Sequence, residues 1–326
     1  MNAYFQISCQ SLILLIKIYV FNKFRTNQLI KELNEYLNKF DLDLNKNQIK
    51  RIHFYTIQSC ITNSWFCMLR GKKANSIERK HAIYLGAITP LLDDLVDLRK
   101  LNSIEIINLI QNGKSKNSTE ILLIRYLYGK LLKDCTANFK LQFNQALKSQ
   151  DISLKQLERQ KLSESELFEI TKNKGANWTL LYRTILKNEL QHAEKEAIST
   201  LGELLQLTND AFDVFKDFKN GQQTVFTNCY DLSPIYKQFN DLIWQMIEQF
   251  SKTEFSRKNT KRSIIQIMLV VSRGIVCLEQ LLECQKRTHD LFQIEKYRRK
   301  ELICDMEKPI NIIKLFKTCK YQIESQ

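Results

Sequence analysis

Eight glycines and three prolines are the only glycine and proline punctuation in a chain of 326 residues. Ordinary usage is about 7% Gly and about 5% Pro, so this chain is poor in both. A sandwich, propeller or repeat-rich β fold needs more turn residues than that, and long helices are the economical alternative. The 44% hydrophobic fraction is enough for a substantial core and argues against disorder. The length fits one large domain or two small ones.

Apolar residues recur at helical intervals from Gln10 to Phe40 and again from Asn45 to Arg70, where Arg70-Gly71-Lys72-Lys73 breaks the pattern. Further helices are expected over Asn75 to Lys100, Ser103 to Asn112 (ending at Gly113), and Thr119 to Gln150 as one long element. Ser163 with Glu166 forms a capping box before the helix carrying Lys174 to Leu186. His192 to Asn220 ends at Gly221, Ser233-Pro234 opens the next helix as N-cap and first-turn proline, and Arg257 to Thr288 is the last long one. No strand alternation, internal repeat or low-complexity linker interrupts the series. The expectation is one all-α domain over residues 1–326, with about ten helices.

Nine cysteines include no C-x-x-C pair, and Cys60 with Cys67, like Cys277 with Cys284, are seven apart, on one face of a helix. Thiols acting as small hydrophobes in a reducing, cytoplasmic setting account for this better than disulfides or zinc. The four histidines are not spaced for zinc either. The net charge of +14 suits nucleic acid, an acidic membrane surface or a polyanionic small molecule. Lysines are scattered, however, and the cluster Lys286, Arg287, Lys296, Arg298, Arg299 and Lys300 lacks the interleaved aromatics of single-strand binders. It reads mainly as a solvated face. The apolar stretch Ser11 to Val20 is shorter than the roughly 20 residues of a membrane span, is interrupted by Lys17, and has no basic leader or cleavage site. A buried or interfacial helix is expected there. Ile264 to Leu282 contains Gln266, Arg273 and Glu279 and reads as a core helix, so no transmembrane segment is expected.

Two acidic runs carry the chemical information. In Leu91-Leu92-Asp93-Asp94-Leu95-Val96-Asp97, Asp93 and Asp97 are one turn apart on the same helix face. Like charges at that spacing repel, so something positive should neutralise them; the alternative is a solvated acidic turn. The second run, Gly202 to Asp217, places Asn209, Asp213 and Asp217 at i, i+4 and i+8 on a helix with apolar flanks. Oxygen ligands without His or Cys suit a hard cation such as Mg²⁺, which keeps several waters and completes its octahedron with phosphate oxygens. Two such stripes on separate long helices can face each other across a cavity.

Taken together, the two runs resemble the metal motifs of class I isoprenoid synthases, the α-helical family of terpene cyclases, trans-prenyl diphosphate synthases and squalene or phytoene synthases. Asp93-Asp94-x-x-Asp97 matches the aspartate-rich first motif. Gly202-x-x-x-Gln206-x-x-Asn209-Asp210-x-x-Asp213 resembles the second motif of prenyl diphosphate synthases, with Asn209 in place of its leading Asp. Asn209-Asp210-x-x-Asp213-x-x-Lys216-Asp217 resembles the terpene-cyclase triad, with Asp213 and Asp217 in place of Ser and Glu. The resemblance implies antiparallel helices around a deep apolar cavity, with up to three Mg²⁺ ions bridging the motifs to a substrate diphosphate. It assigns Asp93 and Asp97 to two ions and Asn209, Asp213 and Asp217 to the third.

The resemblance also nominates cationic partners for the diphosphate. Lys216 stands where terpene cyclases often place a basic residue, and Lys174 where prenyl synthases have a Lys before a small residue. Lys174 is otherwise an ordinary solvated Lys. Arg273 in an apolar helix, Arg298 or Arg299 in the basic cluster, and Arg99 after the first motif are further candidates. Aromatic faces attract a carbocation without offering a nucleophile, and Trp178 and Tyr182 follow Lys174 at i+4 and i+8; plain core packing is the alternative. Thr89, one turn before Asp93, and Gln206 complete the expected substrate-binding set, while Pro90 either kinks its helix or opens it.

Prenyl elongation and head-to-head condensation each need a second diphosphate site. In the elongating subfamily an early G-K-x-x-R-type run and an Arg pair after the first motif provide it. Here Arg70-Gly71-Lys72-Lys73 is only a loose echo, and Leu98-Arg99-Lys100-Leu101 lacks the Arg-Arg-Gly pattern, while head-to-head synthases usually carry a D-x-x-x-D first motif instead. Tyr297-Arg298 reverses the late Arg-Tyr pair of microbial cyclases. The expectation is a Mg²⁺-dependent terpene synthase-like enzyme acting on an allylic prenyl diphosphate. A trans-prenyl diphosphate synthase or head-to-head prenyltransferase is the alternative, and an inert helical protein binding a lipid diphosphate or a partner is the non-enzymatic one. No nucleic-acid partner is expected; a peripheral membrane contact and a homodimer remain open associations.

Overall fold

A computed structural model of the protein describes residues 23–97, 101–112 and 118–324, without the side chains of Asp97 and Asn112. The apolar stretch Ser11 to Val20, Arg99 and Gly113 lie outside the described residues. Among those described there is no strand. The α-helices are α1 Lys23–Leu37, α2 Lys46–Leu69, α3 Ser76–Asp97, α4 Ser103–Asn112, α5 Thr119–Leu132 and α6 Ala137–Ser153. They continue with α7 Glu164–Thr184, α8 His192–Lys219, α9 Ser233–Ser251, α10 Arg257–Lys286, α11 Arg299–Leu302 and α12 Pro309–Glu324.

Their ends follow local chemistry. Asn45 caps α2 in a reciprocal box with Gln48, at 2.9 and 3.0 Å. The Ser163 and Glu166 box opens α7, each side chain accepting the other residue's backbone N–H. Gly221 closes α8 with a φ of 68°, which a side chain would resist. Ser233 is the first helical residue of α9, with Leu232 at the cap, one position earlier than the Ser-Pro signal suggests. Pro90 lies inside α3, so it removes a backbone donor there rather than opening the helix.

Two expectations are corrected. The single helix over Thr119 to Gln150 is two, α5 and α6, with the chain turning at residues 133–136. His81 meets that turn with its ring nitrogens 3.5 Å from Cys135 Sγ and 3.8 Å from Asp134 Oδ2, a tertiary contact that no Gly or Pro announces. Arg257 to Thr288 is not followed by loop alone: α12 adds sixteen residues of helix.

The chain forms two compact units. In the first, residues 23–151 with Leu180–Leu190, α2 packs along α3, α3 and α4 pack on α5, and α1 lies against α2 and α5. Its core includes Leu33, Ile52, Trp65, Phe66, Leu91 and Phe143. In the second, Ile152–Thr179 with residues 191–324, α8 packs on α9, α10 and α11, and α10 also packs on α9 and α12. The helix α10 is long and apolar enough by composition to cross a membrane, but most of it is buried inside its unit, as a core helix would be. The helix α7 contributes to both units.

Candidate functional site

In the first unit, the polar residues of α2 and α3 meet around the first acidic motif. Arg51 and Tyr55 are one turn apart on α2. Arg51 pairs with Asp94 and stands 3.7 Å from Asp93, and the Tyr55 hydroxyl donates to Asp93 at 3.0 Å. Both carboxylates are largely sheltered, at 20% and 15% side-chain exposure, so this guanidinium supplies much of the positive charge the motif requires. Burial, reinforced by the negative charge of Asp93, drives the Tyr55 pKa upward and keeps its proton available for donation.

Thr89, one turn before Asp93, donates to the Leu85 carbonyl at 2.9 Å, so the contact of 2.8 Å with Tyr182 has the tyrosine hydroxyl as donor. Tyr182 is held by that bond, and burial raises its pKa as well. The polar group of this unit is therefore Arg51, Tyr55, Thr89, Asp93, Asp94 and Tyr182. Arg51 and Tyr55 belong to no motif in the sequence, and their i, i+4 spacing on α2 is the only signal that marks them.

In the second unit, α7 and α8 cross where two glycines meet. A Cβ on Gly175 would overlap the Gly202 carbonyl, and one on Gly202 would overlap that of Gly175, so the helices touch backbone to backbone. Along this crossing Thr171 donates to Asp210 at 3.3 Å and Gln206 donates to it at 2.8 Å. Asp210 is buried, and burial lifts its carboxyl to about 6 despite those bonds and the nearby positive charge of Lys174. Gln206, expected at the substrate, thus supports a carboxylate turned inward. Asn209 and Asp213 lie on the neighbouring face, where the Asn209 amide is 3.5 Å from Asp213 Oδ2. Lys216 is exposed and stands 3.6 Å from the same oxygen.

Asp217 is different. It is 5% exposed, yet among the described residues its side chain has neither a hydrogen-bond donor nor an ion-pair partner. Burial, then the negative charges of Asp210 and Asp213, push it up to about 7. An ionised carboxylate in such a place costs several kcal/mol unless it is neutralised by a proton or a cation. The donor set of Asn209, Asp213 and Asp217 is all oxygen, and although Lys216 and Lys174 offset part of its charge the Asp217 carboxyl stays raised, which suits a hard divalent cation. Among the described residues, which do not include the Asp97 side chain, no three His, Cys, Asp or Glu side chains converge as a metal site.

Lys174 and Trp178 are half-buried on α7. Arg273 on α10 is half-buried beside Gly274, where α10 packs against Thr208 of α8 and Phe239 of α9. Its Nε donates to the Val270 carbonyl at 3.2 Å, no carboxylate among the described residues pairs with it, and burial lowers its pKa. Arg298 is exposed and bonded to Glu301 at 3.2 Å, as a solvated cation would be. A cleft of about 370 Å³ in this unit lies near Phe218, Tyr230 and Phe292, and no expected site residue lines it.

No family model matches the chain, and no curated protein matches it in sequence. Among solved structures it is similar to a dehydrosqualene synthase in complex with ligand, with 14% identity over 94% of this chain and 100% of the other, at a TM-score of 0.46. A geranyltransferase from Legionella pneumophila has 16% identity over 78% and 98%, at 0.45. A geranylgeranyl pyrophosphate synthase has 14% identity over 97% and 99%, at 0.36. At these TM-scores the functional reading rests on the side chains described above.

Proposed function

We propose that this protein is a Mg²⁺-dependent class I terpene synthase-like enzyme that ionises an allylic prenyl diphosphate, converts the carbocation to a terpene and releases diphosphate. The observation that carries this reading is Asp217, a buried carboxylate without a partner among the described residues, on one stripe with Asp213 and Asn209. In this reading Asn209, Asp213 and Asp217 hold one ion, and Asp93 with Asp97 hold two more. Bound Mg²⁺ supplies Lewis-acid stabilisation of the departing diphosphate.

The chain's own groups have separate tasks. Lys174, Lys216 and Arg273 offer positive charge to the diphosphate oxygens, and the uncompensated guanidinium of Arg273 is suited to an anion brought in with substrate. Tyr55 and Arg51 keep the first motif oriented while part of its charge is neutralised. Trp178 and Tyr182 present aromatic faces to the cation, with the Tyr182 ring held in place by the hydrogen bond from its hydroxyl to Thr89. A deep apolar chamber that excludes water belongs to the same reading. The eight described cysteines, all free thiols, support placing the enzyme in the reducing cytoplasm.

The deciding experiment incubates the protein with C10, C15 and C20 allylic diphosphates in Mg²⁺ buffer, with and without isopentenyl diphosphate. Hydrocarbon or alcohol products from one allylic substrate alone support the proposal. A longer diphosphate formed only with the C5 partner replaces it with chain elongation, and binding without turnover replaces it with the inert helical protein.

A further inference from the structure

The helix α12 is turned inside out. Its buried positions include Asn311 and Gln322, whose amides donate to the Asp305 carbonyl at 2.8 Å and to Asn240 Oδ1 at 2.9 Å, and Cys319. Three of its aliphatic residues are in water, Ile310 57% exposed, Ile313 50% and Ile312 40%, while Leu315 and Ile323 are half-buried. Burial of aliphatic side chains is a main driving force of folding, so a helix that packs by its amides and exposes three isoleucines is shaped for a second environment. Single exposed apolar residues are ordinary. Ile310 and Ile313, one turn apart and away from the packed Asn311 and Gln322, share a face with Lys314 and Lys317, while Ile312 lies on the other flank of the helix.

The charge around them says which environment. Lys308 precedes the helix, Lys314 flanks the exposed isoleucines and Lys317 follows Ile313 by one turn on the outward side. A second copy of this chain would bring the same lysines against themselves in a protein of net charge +14. An anionic lipid surface complements them: the aliphatic side chains enter the headgroup boundary while the lysines meet acidic headgroups. We infer that the outward face of α12, centred on Ile310, Ile313, Lys314 and Lys317, docks the protein on an anionic membrane surface. This inference is independent of the proposed enzymatic activity.

The test is co-sedimentation of the full chain with phosphatidylcholine vesicles, with and without phosphatidylserine. The unaltered protein should bind the phosphatidylserine vesicles and be released by raised salt, and should bind phosphatidylcholine alone weakly. Ile310→Ser with Ile313→Ser should lower the partition coefficient about tenfold, and Lys314→Glu with Lys317→Glu at least as much, with loss of the salt dependence. Melting temperature and circular dichroism check that both variants remain folded; if one does not, single Ile313→Ser and Lys317→Glu variants provide the comparison. Absence of vesicle binding by the unaltered protein overturns the inference. Binding that survives both double substitutions also overturns it and assigns membrane contact to another part of the chain. A change from dimer to monomer in either variant without vesicle binding overturns it in favour of self-association.

Discussion

Both acidic motifs set carboxylates on long helices, and the protein treats them differently. In the first unit, Asp93 and Asp94 receive Arg51 and the Tyr55 hydroxyl from the neighbouring α2. In the second, Asp210 turns inward to Thr171 and Gln206, Asp213 has an exposed Lys216 and the Asn209 amide, and Asp217 is buried with no hydrogen-bond or ion-pair partner among the described residues. The contrast separates a motif already partly neutralised by its own fold from one that keeps unbalanced negative charge. An unbalanced charge at low exposure is poor design for stability and useful design for capturing a cation.

The largest expected effect breaks this contrast at Asp217. Asp217→Asn should lower Mg²⁺-dependent turnover of an allylic diphosphate by about a thousandfold, comparable to removing a strong transition-state charge contact, while the melting temperature stays level or rises. A lower melting temperature with intact turnover would make Asp217 a structural residue.

A fully partnered carboxylate gives the reference for comparison. Glu78 is buried; burial alone would raise its pKa, but Arg70 at 2.6 Å and the backbone N–H groups of Asn75 and Lys187 outweigh that and bring it to about 2. Its folded value lies below the unfolded value of 4.5, so its contribution is complete above pH 4.5 and is lost as pH falls through about 2. Unfolding free energy should therefore drop by about 3 kcal/mol across that window, and Glu78→Gln should flatten this part of the profile in urea titrations. An unchanged slope in the variant would assign the acid sensitivity elsewhere.

At the first motif, Arg51→Met should cost about 2 kcal/mol in urea unfolding, less than for a fully buried pair because Arg51 is 29% exposed. Added Mg²⁺ should recover part of the loss. A neutral Arg51→Met would show that the first motif is no better compensated than the second. The smallest effect is at Tyr55→Phe, which removes one hydrogen bond to a carboxylate and should cost about 1 kcal/mol, read as a small decrease in melting temperature with the helical circular dichroism unchanged.

Much of this was legible beforehand because it depends on neighbours along the chain. The boxes at Asn45 and Ser163, the stop at Gly221 and the period of α8 and α10 are local, and the helices appear where those signals stand. The break between α5 and α6 was hidden because apolar periodicity continues on both sides while His81, more than fifty residues away, packs at the turn. The helix α12 was hidden because its aliphatic residues do not mark the buried face. At the candidate site, Asn209, Asp213 and Asp217 were marked by their spacing. The partners Arg51 and Tyr55 were not, since a cation on one helix says nothing about which acid it will meet on another.

The sequence by itself determined that the chain is helical, where most helices begin and end, and that acidic oxygens line one face of α8, because turn residues, caps and a period of 3.6 act over a few residues. Only the tertiary structure decided which carboxylates are neutralised, because that depends on burial and on residues distant along the chain. It drew Asp210 to Thr171 through the Gly175–Gly202 crossing, gave Asp94 its arginine, and left Asp217 with none.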